Sequence, residues 1–237
     1  MFRYAAVLLA LLAFQPAHAD EQQLRKTLAK TLPDMKLDSL TSISNTGLYE
    51  GIVNGQIIYF TADGRYVLQG DLVSLESRTN LTEQRRVDLR KTALAKLDEK
   101  DMVIFSPKNT AYTVTVFTDI DCGYCRKMHS EMEDYLAEGI RIRYLAYPRG
   151  GLQSKSYDDA VSVWCAKDRQ QAMTDAKQGK EIAKLTCQNP VKQEFELGQK
   201  IGVQGTPSIF LESGQMLPGY LPAEKLKKVL EQASGKS

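Results

Sequence analysis

Histidine and cysteine are scarce in this 237-residue chain, which holds two histidines and four cysteines. A structural zinc site wants two close ligand pairs. Here one Cys-x-x-Cys is followed by two cysteines with 21 residues between them, so the spacing argues against zinc and against an iron–sulfur cluster. Charge of one sign is lacking too. The net charge is +2, and Arg3 is the only charged residue among the first nineteen, so the remainder carries +1. A near-neutral surface gives no strong electrostatic preference for nucleic acid or anionic lipid. Repeats and low-complexity tracts are absent, and 43% hydrophobic with 25% charged residues is ordinary for a soluble globular chain. After the first residues no stretch is long and apolar enough to span a bilayer, which argues against stable membrane insertion.

The single long apolar run is Ala5–Phe14, ten residues, preceded by Arg3 and followed by Ala17-His18-Ala19. A short apolar core, one positive charge and a small-x-small site predict a cleavable signal peptide over residues 1–19 and an exported chain starting at Asp20. Export changes how the cysteines read. An even number in an oxidising compartment favours disulfides over metal sites.

The pattern predicts an α+β protein in three parts. Residues 20–79 form a small N-terminal domain. Its helix carries Leu24, Leu28 and Leu32 four apart and stops at Pro33. Asn54-Gly55 and Asp63-Gly64 then suit tight hairpins between Leu48–Val53, Gln56–Ala62 and Arg65–Leu75. So small a domain buries little core and has no cysteine to staple it, and its last strand would be a bare edge. Pairing with a second copy would answer both, so a homodimer is expected. Residues 80–99 read as a linker helix opened by Asn80 and Glu83, with a thin stripe of Val87, Leu94 and Leu97 suited to bridging through solvent. Residues 100–237 alternate strands at Met102–Phe105, Tyr112–Phe117, Ile140–Tyr147, Pro207–Glu212 and Gln215–Tyr220 with helices at 122–137 and 221–233. That is a thioredoxin-like order with a helical insert over about 148–204.

Cys122-Gly123-Tyr124-Cys125 falls where a buried strand hands over to a helix. The first amides of a helix lack internal partners and carry partial positive charge, so a sulfur there is favoured as thiolate. Cys122 is the expected nucleophile, the more exposed of the pair, and Cys125, one turn in, the resolving thiol. Gly123 and Tyr124 tune the pair, and Tyr124 offers an aromatic contact to substrates. Asp119 and Asp121 would raise the Cys122 pKa, while Arg126 and Lys127 oppose them. His129 either influences thiol protonation or simply packs. Cys165 and Cys187 are expected to form a structural disulfide worth roughly 3 kcal/mol by loop closure. Gly205-Thr206-Pro207 precedes an apolar strand and leaves the Pro207 isomer open.

The segment Thr118–His129, together with Gly205-Thr206-Pro207 and Leu217-Pro218-Gly219-Tyr220, resembles the DsbC/DsbG family of bacterial thiol:disulfide interchange proteins over essentially the whole mature chain. Gly123 departs from the proline that DsbG members carry at that position. The resemblance implies a V-shaped periplasmic homodimer joined by N-terminal domains, with a thioredoxin-like catalytic domain in each arm. It implies that Pro207 is cis beside the cysteines, with Thr206 setting local polarity and contacting substrate backbone. It also implies an inner-membrane reductase of the DsbD type as electron donor, and a cleft that binds misfolded disulfide-containing periplasmic proteins and gives chaperone activity. The expected activity is isomerisation of non-native disulfides with no cofactor beyond the Cys122–Cys125 pair. A dithiol oxidant or reductase on the same residues, and a holdase chaperone with an incidental Cys-x-x-Cys, are the alternatives.

Overall fold

The computed structural model describes residues 21–235, so the leader predicted over 1–19 lies outside the described residues. Two compact units are seen. One holds the described residues up to Val53 together with Ile58–Gln69, and the other holds Asn54–Ile57 and everything from Gly70 onward.

In the first unit, helix α1 (Glu21–Thr31) buries Leu24 and Leu28, while Leu32, just past its end, stays 41% exposed. The helix packs on an antiparallel sheet of β1 (Leu37–Ile43), β2 (Leu48–Val53), β3 (Gln56–Thr61) and β4 (Val67–Leu68), in that order. Leu24, Leu28, Leu40, Tyr49, Ile58 and Phe60 make its core. Strand β1 was not expected from sequence; its polar Asp38, Ser39, Thr41 and Ser42 hide the alternation. Asn54 and Gly55 both take positive φ (51° and 79°), as a type I′ hairpin demands. The Asp63-Gly64 turn is different, because only Gly64 is left-handed there. Asp63 instead uses its carboxylate to accept from the Thr61 hydroxyl and the Arg65 amide. The strand expected over Arg65–Leu75 also breaks. Gly70, at φ 150°, separates β4 from β5 (Val73–Ser74), which pairs with β6 (Thr79–Asn80) in the second unit.

Helix α2 (Leu81–Leu94) opens on Asn80, whose side chain accepts from the Glu83 amide. Only half of a capping box forms, because the Glu83 carboxylate turns to Arg86 and Arg90. The helix does not run free through solvent. Ala93, Leu94 and Leu97 pack against a cluster of Met102, Phe117, Leu145, Ile201 and Phe210, and buried Arg90 donates to the Ile201 carbonyl at 3.2 Å. What was expected to bridge is the flank of the catalytic unit.

That unit is built on a sheet ordered β11-β10-β8-β9-β7: β7 (Val103–Phe105), β8 (Tyr112–Thr118), β9 (Ile140–Ala146), β10 (Ser208–Leu211) and β11 (Met216–Pro218). Strands β8 and β9 are parallel, with Val114 against Ile142 and Val116 against Tyr144, and β10 runs antiparallel to β8. The unbroken burial of β8 from Val114 to Thr118 matches a central strand covered on both faces. The helix expected from 122 to 137 is two, α3 (Gly123–Ser130) and α4 (Met132–Ala137), because Glu131 leaves helical geometry at φ −102°, ψ 21°. Beyond β9 lie α5 (Lys155–Trp164), α6 (Arg169–Lys177) and α7 (Val191–Lys200), and the chain ends in α8 (Ala223–Ala233). Residues 178–190 carry no helix or strand. This stretch is tied down at Cys187, which forms a disulfide with Cys165, and at Leu185, whose amide donates to Ser162 Oγ.

Candidate active site

Strand β8 ends at Thr118 and α3 begins at Gly123, so four residues turn the chain from the sheet's centre to a helix start. Asp119 makes the turn. One carboxylate oxygen accepts from the Asp121 amide at 3.0 Å, and its carbonyl accepts from the Cys122 amide at 3.2 Å. Cys122 is then the N-cap of α3, and its sulfur accepts from the Cys125 amide at 3.4 Å. A thiolate at an N-cap meets an unpartnered amide and the positive end of the helix together.

Across from Cys122 lies the loop before β10. The Thr206–Pro207 peptide bond is cis, and the Cys122 thiol donates to the Thr206 carbonyl at 3.1 Å. The Thr206 hydroxyl is buried, finds no partner among the described residues while Cys122 is a thiol, and favours the Cys122 thiolate.

Cys122 and Cys125 are both free thiols. Burial separates them little, at 3% and 1% exposed, so the expected contrast in exposure is small. Electrostatics separates them instead. The Cys122 thiol is held well below the ordinary thiol range. The hydrogen bond from Cys125 is the largest cause; burial opposes it, and bonds from Thr206 and the Cys125 amide with the Arg149 charge reinforce it. Cys125 moves the other way, pushed far up by burial and by donating to Cys122.

The acidic neighbours act otherwise than expected. Asp119 is buried, which alone would raise its pKa, but the Arg149 and Asp121 amides and the Arg149 guanidinium hold it below the usual carboxylate range. Asp121 pairs with Arg126 at 3.1 Å and Lys127 pairs with Glu131 at 2.7 Å. These charges are largely spent on each other, and Arg149, whose place in a Pro-Arg-Gly-Gly segment gives no sign of it, is a cation that acts on Cys122. His129 is a packed residue. Its ring meets Phe105 edge-on at 5.1 Å and contacts the Thr174 hydroxyl at 3.0 Å. Burial, then the Lys177 charge, pull its pKa down to about 4.

Gly123 needs no glycine for space, since a Cβ there would touch nothing. Tyr124 is 65% exposed and lies nearly parallel to the Tyr220 ring, 6.3 Å between centroids. The Tyr220 hydroxyl donates to Glu131, and Lys127 sits 5.1 Å from the Tyr220 ring centre. Tyr124, between the two cysteines in sequence, thus forms one half of an aromatic pair. Of the expected site residues, Thr206 meets Cys122 directly and Pro207 follows it through a cis bond, while Cys165 and Cys187 are joined in the insert.

Comparison with known proteins agrees with this geometry. Residues 99–234 match the family profile described as a thioredoxin-like domain, and residues 15–83 match that of the disulfide bond isomerase protein N-terminal domain. The thiol:disulfide interchange protein DsbC of Salmonella typhimurium is 37% identical over 97% of this chain and 96% of that protein. The chain belongs to the DsbC family. Its Escherichia coli K12 member is 34% identical over 91% of this chain and 89% of its own length. A crystal structure of a disulfide interchange protein from Neisseria gonorrhoeae aligns with TM-score 0.52 and 27% identity, covering 57% of this chain and 97% of that one. DsbC-family membership and the thioredoxin-like fold make this chain a thiol:disulfide interchange enzyme with disulfide isomerase activity.

Proposed function

We propose that Cys122 is the nucleophile and Cys125 the resolving thiol of a disulfide isomerase working in the periplasm. The opposed displacement of the two thiols carries this reading: Cys122 is stabilised as thiolate at the start of α3, while Cys125 is kept protonated by burial. The Cys122 thiolate attacks a non-native disulfide and forms a mixed disulfide, and the released substrate thiolate attacks another disulfide in the same chain. When a native pairing closes, Cys122 is expelled unchanged. A stalled substrate is released reduced by attack of Cys125. The redox equivalents reside in the cysteine pair, and the cycle draws on no organic cofactor or metal. Thr206 and Pro207 present the loop that meets substrate backbone, and Tyr124 with Gly123 sets the space above the sulfurs.

The leader pattern of residues 1–19 supports export. An inner-membrane reductase of the DsbD type would keep the pair reduced. A homodimer through the N-terminal unit is supported by β4, an edge strand of its sheet, where Val67 and Leu68 are 55% and 47% exposed and Tyr66 just before it is 62% exposed. Bare apolar edges invite pairing. The cleft between two such arms would bind misfolded chains and act as a chaperone.

Reactivation of a scrambled-disulfide test protein by the mature chain, with Cys122→Ser and Cys125→Ser alongside, tests the cycle. Wild type is expected to restore activity and Cys122→Ser to fail. Rapid oxidation of a reduced protein without reshuffling would make the chain an oxidant on the same fold. Sedimentation at micromolar concentration tests the dimer, and a monomeric mass would dismiss it.

A further inference from the structure

Lys177, the last residue of α6, is 4% exposed and reaches under the active-site turn. Its Nζ donates to Thr118 Oγ1 at 2.7 Å and to the Asp119 carbonyl at 2.6 Å. The Thr118 side chain also faces the Cys125 thiol and favours its thiolate. The Thr118 hydroxyl, bonded to the Lys177 amine, therefore lies between that amine and Cys125. A hydroxyl can both give and take a proton, so this line can conduct one in either direction.

Charge accounting gives the line a purpose. The described residues place no carboxylate in an ion pair with Lys177: the acid that faces it, Asp119, has its oxygens on Arg149 and on the Asp121 amide. The other titratable or charged groups facing Lys177 are Cys122, Cys125, Arg126 and His129. Arg126 opposes its charge, and His129 is uncharged at neutral pH. Burying a cation without a direct ion pair is costly, and the anions that favour its charge are the cysteine pair, Cys125 foremost, and Asp119. Burial also pulls Lys177 down to about 8, so the free amine is accessible near neutral pH. A cavity of about 540 Å³ is bordered by His129, Thr174, Lys177 and Gln178.

We propose that Lys177 is a positioning residue of the resolving step, drawing the proton of Cys125 through the Thr118 hydroxyl and holding the thiolate that results. The inference rests on Cys125 being the resolving thiol. The Cys125 proton passes to Thr118 Oγ1 while the Thr118 proton passes to Lys177 Nζ. The Cys125 thiolate attacks Cys122 Sγ in the mixed disulfide; the Cys122–Cys125 bond forms and the bond from Cys122 to the substrate sulfur breaks. That sulfur leaves with the electron pair and is protonated from solvent, so two electrons pass from the cysteine pair to the substrate.

The reduced mature chain with the chromogenic disulfide 5,5′-dithiobis(2-nitrobenzoate) reads both steps. Attack by Cys122 releases one coloured thiolate, and resolution by Cys125 releases the second. In wild type the second phase is expected to accelerate with pH through about 8 as Lys177 loses its proton. Lys177→Met should slow the second phase relative to the first by about tenfold or more. It should also move the rise of that phase to higher pH, toward the intrinsic ionisation of Cys125. Thr118→Val should reproduce both effects, the double variant should be no slower than either single one, and Lys177→Arg, which cannot give up its proton, should stay slow. A Lys177→Met second phase within about twofold of wild type with an unmoved pH profile overturns the proposal, as does full rescue by arginine, which would make a fixed charge sufficient. Persistence of the second phase in Cys125→Ser would instead overturn the assignment of Cys125.

Discussion

Arg149 grips the Asp119 carboxylate twice, through its backbone amide at 3.0 Å and its guanidinium at 2.9 Å. The carboxylate is buried while the arginine side chain is half exposed. Removing the guanidinium leaves a buried negative charge held only by amides, directly before the Cys122 turn. Because solvent already screens the arginine end, Arg149→Met is expected to cost about 1–2 kcal/mol rather than the full price of a buried pair. It should also raise the ionisation midpoint of Cys122, read as thiolate absorbance against pH, since the Arg149 charge favours that thiolate. An unmoved midpoint would show that the hydrogen bonds at the sulfur act alone. Asp119 itself has a depressed pKa. Its stabilising contribution is therefore present above about pH 4, the unfolded value, and is lost as pH falls through the lower native value.

Glu194 gives the opposite dependence. One of its oxygens accepts from the Ala146 amide at 2.7 Å, the other has no partner among the described residues, and burial pushes the acid up to about 8. Between the unfolded carboxylate value of about 4.3 and this native value the folded state holds a proton that the unfolded state has lost. Stability must fall with rising pH across that window, by at most roughly 1.4 kcal/mol per unit. Glu194→Gln should flatten the fall in melting temperature between pH 5 and pH 8 and exceed wild type at the upper end. Parallel curves for the two proteins would count against a protonated Glu194.

Gly123 is the first residue of α3, and Cys122 before it sits at φ −77°, ψ 122°. Proline is welcome at the first helical position, and that backbone is the one a residue before proline prefers. With open space where the Cβ would lie, Gly123→Pro is expected to keep its melting temperature to within a few degrees, because the change avoids strain and restricts the unfolded chain. A large drop would mean that the Gly123 amide makes a bond the folded chain needs.

The strongest sequence signals were those with one physical solution. The β-branched run at Tyr112–Phe117 next to a Cys-x-x-Cys leaves room for little besides a central strand feeding a helix, and β8 and α3 take those places. Asn54-Gly55 gave its turn because both residues tolerate positive φ. Other features depend on contacts distant in sequence. Arg149 sits in a Pro-Arg-Gly-Gly turn and reads as solvated until Asp119 is found against it, thirty positions earlier. Lys177 reads as the exposed basic end of a helix, where lysine is common; only packing of the insert turns it inward. The same holds for α2, whose thin stripe is too weak to name its partner until Ile201 and Phe210 are seen beneath Leu94 and Leu97.

The Cys165–Cys187 disulfide encloses all of α6, Arg169–Lys177, in its loop, while Cys122 and Cys125 stand as thiols beside that helix. One chain thus keeps two opposite oxidation states at once, an oxidised clasp and a reduced tool. The clasp closes the loop that carries Lys177, so conditions harsh enough to open it would slacken the ground beneath Thr118 and Asp119 as well. Over-reduction would then blunt the site from behind, without touching either of its sulfurs.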